Sequence, residues 1–112
     1  MAKDRRKLTN FEQRTLDLLK NVPSGKVITY AKLAEWVGAP KAARAIGNAL
    51  HKNPDAPKIP CHRVVKSDGT LGGYAGGHQR KIALLKKEGI KIENGKVVDF
   101  KKNALRDRKS VV

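Results

Sequence analysis

Residues 30–51 read YAKLAEWVGAPKAARAIGNALH. The run divides at Gly38, a residue that commonly ends a helix by turning left-handed. The spacing predicts one short helix over 30–37 and a second over about 40–51, with Pro40 in the first turn, where its missing N–H costs nothing. The second helix is rich in alanine, the strongest helix former. Two helices joined by a tight glycine turn give the outline of a helix-turn-helix. At about 100° per residue, Ala42, Ala45, Ile46, Ala49 and Leu50 share the side that must face a core. The opposite side carries Ala43, Arg44, Gly47, Asn48 and His51. A solvent-facing helix usually displays long charged side chains. This one displays small residues around one arginine, which lets its backbone come close to something. A second packed helix is one reading; in a basic chain a DNA groove is the better one.

Upstream, Thr9 and Glu12 form a T-x-x-E capping box. Phe11, Thr15, Leu18, Leu19 and Val22 follow at helical spacing, so an amphipathic helix is expected over 10–21. Pro23-Ser24-Gly25 is a turn, and Val27-Ile28-Thr29 a short strand. Downstream, residues 53–61 contain three prolines and are expected as a stiff, extended loop that ends at Cys61. Val64-Val65 is a short strand, Ser67-Asp68-Gly69 a turn, and residues 72–77 (GGYAGG) a glycine loop around one tyrosine. That loop lacks the residue order of a phosphate-binding loop. A helix over 78–88 stops at Gly89. Ile90, Ile92, the turn Asn94-Gly95 and Val97 then carry a β-hairpin signature. The fold class is therefore mainly α with short β-strands, in one domain over 9–100 between basic tails at 1–8 and 101–112.

Charge points to the partner. The 112 residues hold 25 Lys and Arg against 10 Asp and Glu, a net charge of +15. Residues 1–7 account for +3 and residues 101–112 for +4, leaving +8 on the body. The excess is not a tail effect, and it creates a field that phosphates feel. No apolar run approaches the roughly 18–20 residues of a membrane span. No signal peptide is read at the N-terminus, so no membrane role is expected and the cytoplasm, or wherever the genome lies, is the default compartment. One cysteine excludes an internal disulfide and a cysteine-rich zinc site; neither metal nor cofactor is expected.

Chemistry concentrates in Pro60-Cys61-His62-Arg63-Val64. A thiol becomes a good nucleophile on losing its proton, and a neighbouring imidazole is the usual acceptor. Adjacency alone leaves an inert buried cysteine as the commoner outcome. The proline-stiffened approach and the glycine loop raise the reactive reading. Glu88, at the end of the last helix, is a candidate to orient the imidazole, although a surface carboxylate is its plainer reading.

These residues resemble the DNA-binding, catalytic domain of the O6-alkylguanine-DNA alkyltransferases. The likeness runs from about Phe11 to Gly89. It rests on GKVITY at 25–30, KAARAIG at 41–47, Asn53-Pro54, IPCHRVV at 59–65 and GGYAGG at 72–77, all in the family's order. The resemblance implies a winged helix-turn-helix domain whose recognition helix enters the minor groove of double-stranded DNA containing O6-alkylguanine. Arg44 is then the finger that fills the gap left by the flipped base, with Ala43, Gly47 and Asn48 on the DNA face. Cys61 takes the alkyl group, His62 accepts its proton through a water, and Glu88 holds His62. Tyr30 protonates the leaving guanine and faces the DNA, and Asn53 supports the turn before the cysteine. Tyr74, Ala75, Gly76, Val64 and Pro60 line the base pocket. The thioether is stable, so each molecule is expected to react once; a monomer is expected. Members of the family carry an additional N-terminal domain before this one. The alternative is the alkyltransferase-like proteins, which are of this size, bind the same lesions without removing them and recruit nucleotide excision repair partners. They usually have tryptophan where this chain has Cys61.

Overall fold

The computed structural model describes residues 8–56, 58–74 and 76–105. Its first helix, α1, spans Asn10–Leu19 and opens on the expected capping box. Thr9 Oγ1 accepts from the Glu12 amide at 3.0 Å, and Glu12 Oε1 accepts from the Thr9 amide at 2.9 Å. The buried stripe differs from the expected one. Thr15, Leu16, Leu19 and Val22 are fully buried, whereas Phe11 and Leu18 are only partly covered. Two helices pack on α1, and their joint groove falls over Leu16 rather than Leu18.

Strand β1 (Ile28–Thr29) runs directly into α2 (Tyr30–Val37). Thr29 is both strand end and N-cap, its hydroxyl accepting from the Lys32 amide at 2.9 Å. Gly38 ends α2 with φ +94°, a conformation that costs a side-chain-bearing residue energy and glycine little. The next helix, α3, spans Ala43–His51, so it begins later than expected. Pro40 lies instead in a turn closed by the Ala42 amide on the Ala39 carbonyl at 2.9 Å. Ile46, Ala49 and Leu50 face the core as the spacing requires. Ile46 and Leu50, with Leu16, Leu19, Leu33 and Trp36, belong to one hydrophobic cluster, each large side chain contributing about 1.5–3 kcal/mol.

The described residues between 53 and 60 are not extended. Asn53 gathers them into a compact turn, its Nδ2 donating to the Ile59 carbonyl at 2.7 Å and its Oδ1 accepting from the Asp55 amide at 2.9 Å. A 3-10 turn, Cys61–Arg63, follows and leads into β2 (Val64–Val65). Strand β2 pairs in parallel with β1, Ile28 opposite Val64 and Thr29 opposite Val65. That pairing ties the start of α2 and the cysteine turn to one frame.

Helix α4 (His78–Lys87) packs against that turn. Strands β3 (Ile92–Glu93) and β4 (Lys96–Val97) form the wing, an antiparallel hairpin. Its turn residues Asn94 and Gly95 have φ +53° and +75°, as a two-residue hairpin turn demands. A second cluster, with Val27, Val65, Leu71, Leu85, Ile90 and Val97, lies beneath the hairpin. The packed body continues past residue 100. A short helix α5 (Phe100–Asn103) leads to Leu105, which is buried and donates its amide to the Val27 carbonyl at 2.8 Å. Residues 101–105, expected as tail, thus pack on the domain; both ends of the chain beyond 8 and 105 lie outside the described residues. No helix among the described residues is long and apolar enough to cross a membrane.

Candidate active site

Cys61 sits where three local constraints meet. Asn53 locks the preceding turn, Pro60 restricts the backbone leading in, and the Arg63 amide closes the 3-10 turn on the Pro60 carbonyl at 3.0 Å. The side chain is 4% exposed. What exposure it has opens on a cavity of about 320 Å³ lined by Tyr30, Gly73, Tyr74 and the Ala43, Gly47 and Asn48 side of α3. That volume is at the small end of the roughly 300–1,000 Å³ typical of ligand clefts. A Cβ added at Gly47 would meet nothing within 4 Å, so the helix face is open toward the cavity. Gly72 is tighter. It has φ +72°, and a Cβ there would fall 2.9 Å from the Tyr30 hydroxyl. Only glycine lets the loop pass over that ring.

Behind Cys61 is a hydrogen-bonded relay. His62 is 1% exposed, and its Nε2 lies 3.0 Å from Glu88 Oε2. Arg63 grips the same carboxylate as a fork, Nε on Oε1 at 2.9 Å and Nη2 on Oε2 at 2.6 Å, while its Nη1 donates to the Val22 carbonyl at 2.6 Å. Burial alone would raise the Glu88 pKa, but the bonds from Arg63 and His62 outweigh it and hold the carboxylate below its usual range. Glu88 is thus ionised at neutral pH and accepts from His62, which puts the imidazole proton on Nε2. Burial lowers the His62 pKa against the pull of Glu88, so the ring is neutral. Its Nδ1 is buried with no hydrogen-bond partner among the described residues. A lone pair is therefore available on the neutral ring of the residue that follows the cysteine in the same turn. Burial pushes the Cys61 thiol up, opposed by the Asn53 side chain and the charge of Lys81, so the thiol needs an acceptor. The Tyr74 ring stands edge-on to His62, with centroids 6.4 Å apart and planes at 83°.

The family described as 6-O-methylguanine DNA methyltransferase, DNA binding domain, matches residues 10–90. The chain belongs to this family. It is 48% identical over 81 residues to the methylated-DNA–protein-cysteine methyltransferase of Shigella flexneri, covering 72% of this chain and 47% of that protein. The protein of the same name from Mycobacterium leprae (strain TN) is 49% identical over 80 residues, 71% of this chain and 48% of the relative. This methyltransferase-family chain spans about half the length of those curated relatives. Among solved structures, Mycobacterium tuberculosis OGT in complex with DNA superposes with a TM-score of 0.70 at 48% identity, over 71% of this chain and 50% of that one. S. pombe Atl1, in complex with damaged DNA containing O6-carboxymethylguanine, gives 0.75 at 31% identity, over 85% of this chain and 94% of that one. The helix-turn-helix outlined by residues 30–51 is the family's fold.

In this methyltransferase-family domain, Cys61, Tyr30, Tyr74, Ala43, Gly47 and Asn48 meet around this cavity. His62 and Glu88 stand behind Cys61, and Asn53 braces its loop. Arg44 is exposed on α3. Pro60 and Val64, expected in the pocket, are buried instead: Pro60 precedes the 3-10 turn and Val64 is a core residue of β2. Gly76 is exposed, and a Cβ on it would fall 2.8 Å from the Tyr74 ring, so it seats that ring rather than facing the cavity. Ala75 lies outside the described residues. Leu50, His51 and Gly73 also line the cavity, although the sequence had placed none of them in the pocket. Two further residues went unnoticed. Arg63 was legible only as the neighbour of His62. Lys81 is fully buried on α4 one turn before Leu85, and that apolar spacing was the signal that could have found it. Among the described residues, no group of three or more His, Cys, Asp or Glu is placed to hold a metal ion.

Proposed function

We propose that this protein repairs DNA by moving an alkyl group from O6-alkylguanine onto Cys61, once per molecule. The observation that carries the reading is the juxtaposition of Cys61, on the cavity wall, with the neutral His62 held by Glu88 and Arg63 behind it. The small-residue face of α3 lies in the minor groove, where little but backbone can reach the floor. The O6-alkyl carbon cannot meet a protein nucleophile inside the stack, so the guanine is flipped into the cavity. Arg44 fills the place it leaves.

The thiol proton passes through a water to His62 Nδ1. Cys61 Sγ then bonds to the alkyl carbon as the carbon–O6 bond breaks, and the electron pair stays on the guanine. Burial keeps the Tyr30 phenol protonated; it gives its proton to guanine N3 and recovers one from solvent. Asn53 holds the turn that aims Cys61, and Tyr74 walls the base. No cofactor enters. One copy of the chain suffices, acting wherever the genome lies.

A second reading is a lesion-binding protein that transfers nothing and recruits repair partners. The likeness to S. pombe Atl1, over 94% of that chain, favours it. Intact-protein mass after incubation with a duplex containing O6-methylguanine separates the two. A gain of one methylene on the peptide holding Cys61 supports transfer; tight binding with unchanged mass supports the second reading and ends the first.

Binding should also weaken steeply with salt, as phosphate contacts require. Arg44→Ala is expected to lower affinity for the lesion duplex on the order of tenfold, because the finger offsets part of the few kcal/mol that unstacking costs. Titration by fluorescence anisotropy checks this, and wild-type affinity in the variant would remove Arg44 from the flipped-base role.

A further inference from the structure

Lys81 is 0% exposed. Its Nζ donates to three carbonyls: Val64 at 2.7 Å, Leu71 at 2.5 Å and Gly73 at 3.0 Å. Three acceptors match the three protons of an ammonium, whereas a neutral amine would turn a lone pair toward one of them. Among the described residues no carboxylate forms an ion pair with it. An uncompensated buried cation is expensive, and a leucine or methionine at this position of α4 would pack without that cost. The origin of the carbonyls supplies a reason for the charge. Val64 is three residues after Cys61. Leu71 precedes the glycine that seats Tyr30, and Gly73 lines the cavity. The positive charge of Lys81 acts on Cys61 and His62, both on the 3-10 turn before β2.

We propose that Lys81 is a positioning residue for alkyl transfer: its ammonium fastens the glycine loop to the strand leaving Cys61 and supplies the positive charge that the forming thiolate faces. The role rests on the transfer reading above and adds to it an electrostatic partner that the His62–Glu88 relay does not provide. Burial lowers the lysine pKa to about 8, against the opposing pull of Cys61. Each charge favours the other: the Lys81 ammonium favours the thiolate, and the thiolate favours the ammonium.

The test is the pH profile of iodoacetamide alkylation at Cys61, the sole cysteine, in the wild-type chain and in Lys81→Met. The midpoint is expected to rise by on the order of one pH unit in the variant, with transfer from an O6-methylguanine duplex at pH 7 slowed roughly tenfold. A purely structural lysine would change the melting temperature and leave the midpoint alone; an unchanged midpoint overturns the proposal. Should Lys81→Met fail to fold, wild-type protein labelled with 13C-lysine serves. Capping Cys61 with iodoacetamide should lower the Lys81 titration midpoint, and no movement overturns the proposal equally. A shifted thiol midpoint in a wild-type protein that transfers nothing would defeat the transfer reading and leave the link between Lys81 and Cys61 standing.

Discussion

Cys61→Ala is expected to abolish alkyl transfer completely while lesion-duplex affinity stays within about threefold of wild type. The asymmetry follows from where the thiol stands. It is the only atom offered as acceptor for the alkyl carbon, so no residual route exists once it is removed. The cavity is otherwise built by Tyr30, Tyr74, Gly73 and α3, none of which depends on the sulfur. Truncating one buried thiol to a methyl should cost about 1 kcal/mol of stability, too little to collapse the loop that Asn53 already closes. Mass spectrometry and anisotropy on the same preparation read both quantities. Binding lost along with transfer would mean that Cys61 holds the pocket together rather than reacting in it.

Glu88→Ala should produce the largest combined effect. Without the carboxylate, His62 loses the acceptor that keeps its proton on Nε2, and Arg63 loses both bonds of its fork. General-base assistance contributes typically 10²–10⁴-fold, so single-turnover transfer should slow by about 10²-fold or more. Stability should fall by about 3 kcal/mol, the lower end for breaking a buried pair, because the Arg63 and Glu88 side chains keep 15% and 14% exposure. The pH dependence has a definite sign. The Glu88 pKa is depressed in the fold, so its contribution is present above the usual carboxylate range and is lost as pH falls below it. The His62 pKa is depressed too, so the unfolded chain binds a proton that the folded one refuses once pH drops below about 6.5. Both act in the same direction. Urea midpoints should fall more steeply for wild type than for Glu88→Ala only below about pH 4.5, where the depressed Glu88 carboxyl takes up its proton; above that the variant, whose His62 has lost the pull of Glu88, should fall at least as steeply, and parallel curves below about pH 4.5 would show that this carboxylate is not the stabilising ion.

The features readable from the chain alone are those whose physics is local. The Thr9–Glu12 box spans three residues, the stop at Gly38 needs only one left-handed residue, and Asn94-Gly95 sets its own turn. Each is decided by atoms a few bonds apart, so composition and spacing suffice. The small-residue face of α3 was equally plain, because helical periodicity places side chains whatever surrounds them. Family resemblance carried the assignment further than these signals could. It joined His62 to Glu88, 26 positions apart, where a lone carboxylate at a helix end reads as a surface group.

What the chain did not disclose depends on segments distant in sequence. Leu16 rather than Leu18 is buried because both α2 and α3 settle on α1. Val64 turns into the core and Pro60 is buried ahead of the cysteine turn, while Leu50, His51 and Gly73 line the cavity. Arg63 reaches Val22 across 41 positions, and Lys81 finds carbonyls 17, 10 and 8 positions away. A buried charge is tolerable only where such partners converge, and their convergence is a property of packed backbone, not of spacing. The amino-acid order was enough for the helix caps, the hairpin turn and the face of α3; the electrostatics around Cys61 came into being only when segments distant in sequence closed on it.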